Sequence, residues 1–302
     1  MCAWCTARPQ VGRTKPPDQQ WATYHAPMRL VDSHCHLNAD RFEGDVDQVI
    51  GAARLAGLER ILVPGWNVAS SGRALELVER FAWLDASVGI HPHDAAKVED
   101  EGWAQIIDWA SDDRVVAIGE TGLDYDRVFS PIEDQLANLR RNLQLARETG
   151  KPAILHCRSA TGKRDAQDAL LAELRTAGVG GSEWASAFED RPPVVIHSFS
   201  GSIDYARAVL DLGAAVSFSG LVFRAGEEAS ADVAAAVPGD RLLVETDSPF
   251  LAPPGAPRGR NEPEWVRITA AWLAERRQCD TETLGEELIV SYDRAFGRRA
   301  RR

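Results

Sequence analysis

The chain has 302 residues, enough for one large domain or two small ones, and its 44% hydrophobic and 26% charged residues are ordinary for a globular protein. No apolar run approaches the ~20 residues of a membrane-spanning helix, and the N-terminus lacks the apolar segment of a secretory signal. The formal net charge of −11 is spread unevenly: residues 1–29 carry +3 and residues 294–302 carry +5, which leaves −19 on residues 30–293 and argues against broad electrostatic capture of nucleic acid.

Residues 1–29 are rich in Pro, Gln and other polar residues without periodicity, and read as a mobile leader. The leader contains Cys2 and Cys5, a pair with no second pair to complete a zinc site. With Cys35, Cys157 and Cys279 the cysteines are odd in number and scattered, which fits a reducing, cytoplasmic setting better than a disulfide framework.

From Leu30 onward, strand-like and helix-like segments alternate. Strands are predicted over 30–36, 60–64, 84–91, 114–119, 153–157, 193–198, 214–219 and 241–247. Helices are predicted near 45–56, 70–81, 99–110, 131–149, 162–177, 202–212, 227–236 and 262–277, with an extra one near 283–296. The best marked helix is 131–149. Ser130 is placed as its cap, Pro131 at its first position and Glu133 in a capping box; Leu136, Leu139, Leu143 and Ala146 form its apolar stripe, and Gly150 and Pro152 end it. Segment 178–192 reads as an irregular inserted loop. Eight strand–helix units in one run predict a parallel (β/α)₈ TIM barrel, a single domain over 30–297 with an extra C-terminal helix, followed by a basic tail at 298–302. A doubly wound open sheet is the structural alternative.

In such a barrel, chemistry gathers at the C-terminal ends of the strands. His34 and His36 stand at the end of the first strand, where alternation points them to the same side. His91 and His93 end the third, Glu120 the fourth, His156 the fifth, His197 the sixth and Asp247 the eighth. Six of the seven histidines fall at these ends, and the seventh, His25, lies in the leader. A single histidine at a strand end is usually a packed core residue, but this convergence points to metal. The expected ligands are His34, His36, Glu120, His156, His197 and Asp247. Four imidazoles and two carboxylates exceed one tetrahedral ion with an open position. They suit two divalent ions (Mg²⁺, Mn²⁺ or Zn²⁺) sharing a carboxylate. Glu120 is the natural bridge. Asp247 is expected to ligate and to act as a base toward water, in a hydrolysis whose nucleophile is a metal-bound hydroxide.

These residues sit in motifs: Asp32-Ser33-His34-Cys35-His36, Gly119-Glu120-Thr121-Gly122-Leu123-Asp124-Tyr125, His156-Cys157-Arg158, His197-Ser198-Phe199-Ser200-Gly201, Glu245-Thr246-Asp247-Ser248-Pro249-Phe250-Leu251-Ala252-Pro253, and Arg260-Asn261-Glu262-Pro263. Over about residues 30–296 the chain resembles the TatD-like metal-dependent hydrolases, a branch of the amidohydrolase superfamily that includes deoxyribonucleases. The resemblance implies a TIM barrel, a divalent-metal site on the six residues above, and phosphodiester hydrolysis on DNA. Against the family pattern, loop 178–192 is long, the segment before Arg260 is short and lacks a Lys, and the leader and tail lie outside.

Further polar residues are assigned around this centre. Arg158, two positions after His156, is a candidate phosphate contact, with a salt bridge at the mouth as the alternative. His91 is expected to contact phosphate, His93 to lie at the rim, and Tyr125 and Arg224 to touch substrate. Asp32 and Glu245 are read as buried partners of the ligands, and Cys35 and Cys157 as core. A metal-dependent deoxyribonuclease is therefore the leading reading, acting as a monomer. Its partner is expected to be DNA, single-stranded or a free end, which is easier to reconcile with the acidic body than long duplex. Hydrolysis of a small ester, lactone, amide or phosphoester is the alternative; a bridging lysine on the fourth strand would favour it, and Glu120 stands there instead. An inactive metal-binding scaffold is the remaining reading, and the full ligand set argues against it.

Overall fold

Eight strands form one sheet whose order is the order of the sequence, each hydrogen-bonded in parallel to the next. They are β1 (Leu30–Asp32), β2 (Leu58–Pro64), β3 (Leu84–Val88), β4 (Val115–Asp124), β5 (Ala153–Arg158), β6 (Val194–Ile196), β7 (Ala215–Phe218) and β8 (Leu242–Val244). This computed structural model describes residues 28–257 and 259–297. Cys2, Cys5, His25, nearly all of the expected leader and the tail at 298–302 lie outside the described residues. The ends of the sheet meet: the Ser33 N–H donates to the Val244 carbonyl (2.9 Å), joining the chain after β1 to β8. The architecture is the (β/α)₈ barrel read from the alternation.

The helices cover the outside: α1 (Val46–Leu55), α2 (Val68–Arg80), α3 (Asp100–Ala110), α4 (Ile132–Thr149), α5 (Asp165–Thr176), α6 (Ser182–Phe188), α7 (Ile203–Asp211), α8 (Ser230–Ala236), α9 (Val266–Arg277) and α10 (Thr281–Phe296). The core lies between helices and sheet and inside the barrel, built from β-strand Val, Ile and Leu that are buried nearly without exception. Helix α10 is the expected extra element. It closes the N-terminal end of the barrel, where Tyr292 OH donates to Asp85 Oδ2 of β3 (2.8 Å). Arg60 of β2 donates to the same carboxylate through Nε (2.8 Å) and Nη2.

Three local expectations are corrected. Segment 178–192 contains α6, whose Trp184 and Phe188 are buried, stack at 5.5 Å and cover a side of the barrel. Its helical spacing is masked in sequence by the flanking glycines. Helix α4 starts at Ile132 with Pro131 as its cap residue, and Ser130 makes no cap bond. The Ser130 hydroxyl instead donates to the His93 carbonyl (3.1 Å) and accepts from the Ala96 N–H (3.1 Å), tying the start of α4 to the loop after β3. The C-terminal end is as expected, with Gly150 left-handed at φ 63°. Finally, the ladders of β1, β3 and β8 stop short of the residues that follow. Past Asp32 the chain is held alternately from two sides: Cys35 N–H bonds the Leu62 carbonyl (3.0 Å) and His36 N–H the Ser248 carbonyl (2.7 Å). Those residues stay extended toward the mouth without belonging to a regular ladder.

Between β3 and β4 the backbones approach unusually closely. A Cβ on Gly89 would lie 2.5 Å from the Gly119 Cα. Only glycine fits there, and the approach sets Glu120 beside the residues that follow β3.

Candidate metal centre

At the C-terminal mouth of the barrel six side chains converge, supplied by segments far apart in the chain. His34 and His36 follow β1, Glu120 lies within β4, His156 within β5, His197 after β6 and Asp247 three residues past β8. Asp247 is left-handed (φ 53°), a conformation an aspartate tolerates better than most residues. Its N–H donates to the His34 carbonyl (2.9 Å), which fastens the last of these residues to the first.

Glu120 divides the cluster into two. Its Oε2 lies 3.3 Å from His34 Nε2 and 3.6 Å from His36 Nε2. Its Oε1 lies 3.2 Å from His91 Nε2, 3.3 Å from His156 Nδ1 and 3.0 Å from His197 Nε2. Asp247 Oδ1 completes the first group, 3.8 Å from His34 Nε2 and 3.3 Å from His36 Nε2. The two imidazole nitrogens of that group face one another at 3.2 Å. Four atoms at ~2.1 Å from one divalent ion would stand ~3.4 Å apart in a tetrahedron. The spacings among the His34, His36, Glu120 and Asp247 atoms bracket that value. Buried imidazole atoms also lack hydrogen-bond partners, among them His197 Nε2. The donor set around His34, His36, Glu120 and Asp247 therefore fits a divalent cation.

The partners of the histidines decide what each can do. His197 Nδ1 donates to Glu245 Oε1 (3.3 Å) and its Nε2 lies 3.0 Å from Glu120 Oε1. Burial opposes a charge on this ring, but the two carboxylates hold it well above its ordinary value, and a bound cation would take the Nε2 lone pair instead. Glu245 is itself fully buried, accepting from the Ser198 N–H (2.6 Å) and from the Ser217 hydroxyl. His156 Nε2 donates to Asp124 Oδ2 (3.3 Å), leaving Nδ1 toward Glu120. Asp32 accepts from the Thr246 N–H (3.0 Å), the Thr246 hydroxyl (2.6 Å) and the His34 N–H (3.2 Å), so it orders the backbone on both sides of the mouth.

His91 is different. Its Nδ1 accepts the His93 N–H (3.1 Å), so the neutral ring carries its proton on Nε2, and that N–H points at Glu120. Burial pushes the His91 imidazole down to about 4, against the pull of Glu120, so the neutral form holds at ordinary pH. A protonated Nε2 is a hydrogen-bond donor and not a ligand. Burial likewise lowers His34, with His197 adding to the effect. Burial alone would raise the Glu120 carboxyl, but the surrounding imidazoles, His91 and His197 first and then His156, hold it well below its ordinary value. Asp247 is lowered in the same way, burial being outweighed chiefly by His36.

Outside the cluster the sequence assignments part ways. His93 lies at the rim and donates from Nε2 to Asp124 Oδ2 (2.7 Å). Arg158 is at the mouth, donating from Nε to Asp126 Oδ2 (2.9 Å). Arg224 lines the cleft and reaches the Ala252 carbonyl at 3.5 Å. Tyr125 is a correction: it follows Asp124 by one position, so it turns from the cleft and packs, half-buried, against the apolar core. Cys157 is the other correction, since it contributes to the cleft wall as well as touching the core. Asp124 was missed as a partner. Its signal was parity, because it stands four residues after Glu120 on one strand and shares its face.

The cleft has a volume of about 1130 Å³. Although the body of the chain is acidic, one wall carries Arg127, Arg158, Lys163 and Arg164. Among the described residues no helix is long and apolar enough to cross a membrane.

The chain is similar to known proteins over most of its length. The family described as "TatD related DNase" matches residues 31–297. The metal-dependent hydrolase YabD of Bacillus subtilis is 34% identical over 267 residues, covering 88% of this chain and 98% of YabD. The 3'-5' ssDNA/RNA exonuclease TatD of Klebsiella pneumoniae is 33% identical over 274 residues, covering 89% of this chain and 98% of that protein. Among solved structures, the TatD homolog YJJV of Escherichia coli K12 superposes with a TM-score of 0.78 at 29% identity, over 90% of this chain and 99% of YJJV.

Proposed function

The chain belongs to the TatD-related DNase family of metal-dependent hydrolases, and from that premise we propose that it cleaves phosphodiester bonds of DNA presented as a single strand or a free end, at a centre of two divalent cations. The observation that carries this reading is the division of Glu120, whose two oxygens face two separate sets of imidazoles. His34, His36 and Asp247 with Glu120 Oε2 would hold one cation, and His156 and His197 with Glu120 Oε1 the other. Bound there, divalent cations supply Lewis-acid stabilisation of a phosphoryl oxygen and a water of lowered pKa.

The chain's own residues do the remaining work. Asp247 is ionised and partly open to the cleft, and takes the proton of the attacking water. His91, neutral and protonated at Nε2, donates to a non-bridging phosphate oxygen in place of Glu120. Arg127 and Lys163, which have no ion-pair partner among the described residues, hold phosphates further along the strand, with Arg158 joining them when it leaves Asp126. This local basic wall is how an acidic body takes an anionic polymer. The Klebsiella relative is named for single-stranded DNA and RNA, which supports the same preference here. We place the enzyme in the cytoplasm as a monomer; Cys35, Cys157 and Cys279 are free thiols, as a reducing compartment requires.

The test is direct. Metal-stripped protein is incubated with an end-labelled single-stranded oligonucleotide, with and without Mg²⁺, Mn²⁺ or Zn²⁺. Metal-dependent release of nucleotides, abolished in Asp247→Asn, is the expected outcome. Turnover of an ester or lactone with no cleavage of DNA under any metal would overturn the reading. Metal analysis of the His34→Ala/His36→Ala protein should show loss of bound metal, and full retention would refute the ligand assignment.

A further inference from the structure

Among the described residues, Phe129 (63% exposed) and Phe250 (51% exposed) are the exposed aromatic side chains. Phe250 lines the cleft, and Phe129 stands beside His93, which lines it, so the two rings flank the centre on its His36 and His93 sides. Phe250 lies edge-on to His36, ring centroids 5.9 Å apart. Phe129 lies edge-on to His93 at 4.7 Å, and His93 contacts His91 and His156 in turn. Of the exposed aliphatics, Leu55, Ile107 and Val290 are scattered singly on helices, as surface apolar residues usually are, while Val128 and Ile132 lie close to Phe129 in the chain. Two solvent-facing phenyl rings at one opening are not such scatter.

The backbone beside each ring is also unusual. Val128, immediately before Phe129, has φ 48°, and Leu251, immediately after Phe250, has φ 47°. Aliphatic side chains rarely adopt the left-handed region, a β-branched valine least of all. Such conformations persist where the surroundings over-determine them and cluster at functional sites. Here they sit next to two rings whose exposure brings no folding benefit.

We infer that Phe129 and Phe250 are stacking platforms for the nucleobases that flank the scissile phosphate. This rests on the nuclease reading above and says what that reading does not: how the bases are held. A phosphate drawn to the imidazole cluster leaves its two neighbouring bases near the rim, one toward His36 and Phe250 and the other toward His93 and Phe129. Base–aromatic stacking needs a free base face, which a single strand offers and a paired duplex does not. Every base has such a face, so the strand is gripped without sequence preference. The duplex is refused because its bases are already stacked, and the acidic body adds no compensating attraction.

The experiment compares two labelled single strands of equal length, one with all its bases and one abasic at the terminal nucleotides. Binding is measured by fluorescence anisotropy with the metals chelated, and KM with metal present. The wild-type protein should bind the base-bearing strand about tenfold more tightly than the abasic one, with the difference appearing in KM. In Phe129→Ala/Phe250→Ala that gap should close, and Phe→Tyr at both positions should restore it, while the thermal midpoint stays at the wild-type value because both rings are exposed. A gap that survives in the double alanine variant overturns the stacking assignment and leaves the nuclease reading standing. Cleavage of neither strand by wild-type protein with any metal overturns the nuclease reading and this inference with it.

Discussion

At the N-terminal end of the barrel, beneath α10, buried charges of opposite sign meet: Asp85 accepts from Arg60 and from the Tyr292 hydroxyl (2.8 Å). At the C-terminal end, like meets like. Two imidazole nitrogens stand 3.2 Å apart, and the Glu120 and Asp247 carboxylates crowd the same two rings. Both ends are polar and buried. In the first arrangement opposite charges are paired, Arg60 facing Asp293 (3.7 Å) as well as Asp85, and removing the arginine leaves the buried Asp85 charge stranded. The second is incomplete by itself, and a bound cation would resolve it. A site is recognised less by how many charged groups it buries than by whether they answer one another.

The contrast can be broken in four places. The largest effect belongs to Asp247→Asn, which should lower kcat by about 10²–10⁴-fold, the range of a lost general base, with little change in thermal midpoint. A midpoint that falls with activity would mean the mouth is structural after all. At the opposite end, Asp85→Ala removes the nearer carboxylate of Arg60, leaving Asp293 Oδ1 at 3.7 Å, and takes the acceptor from the Tyr292 hydroxyl. It should cost up to about 3–5 kcal/mol in denaturant unfolding, while the folded enzyme keeps its kcat. Glu245→Gln weakens the acceptor that orients His197 and should reduce metal affinity about 10–100-fold by titration calorimetry. Unchanged affinity would detach Glu245 from the centre.

The smallest effect is a slope. Glu120, Asp124 and Asp247 are all held below their ordinary values, burial being outweighed in each case by neighbouring histidines. Groups depressed in the fold add stability that is complete above the unfolded-chain value and is lost as pH falls toward the folded one. Chelated protein should therefore lose stability below about pH 4.5, by about 1.4 kcal/mol per pH unit for each proton of difference. Glu120→Gln should flatten that dependence, and an unchanged slope would show that the imidazoles do not carry the effect.

Much of this was legible in the sequence because barrels put chemistry at strand ends. The His34/His36, His156, His197, Glu120 and Asp247 positions needed only the alternation of strands and helices to be gathered. What escaped depended on neighbours that no local pattern encodes. Tyr125 was assigned to the substrate by its place in a motif, yet one step of strand parity turns it outward. The Ser130 hydroxyl looked like a helix cap but serves the loop at His93. His91 is placed outside the ligands by the sequence, but its tautomer turns on the His93 N–H, a backbone group invisible to any count of side chains. The helix at 182–188 hid behind flanking glycines, although Trp184 and Phe188 already supplied an apolar face.

The seam of the barrel bears on when the enzyme comes into being. Thr246 reaches Asp32 across 214 positions of sequence, and Asp247 is fastened to the His34 carbonyl. Synthesis delivers the first of these partners early and the second near its close. A nascent chain halted before β8 carries five of the six converging side chains and still lacks both the sixth and the clasp that orients the first two. The six-residue centre is thus complete only once the chain past β8 has been made and the seam has closed.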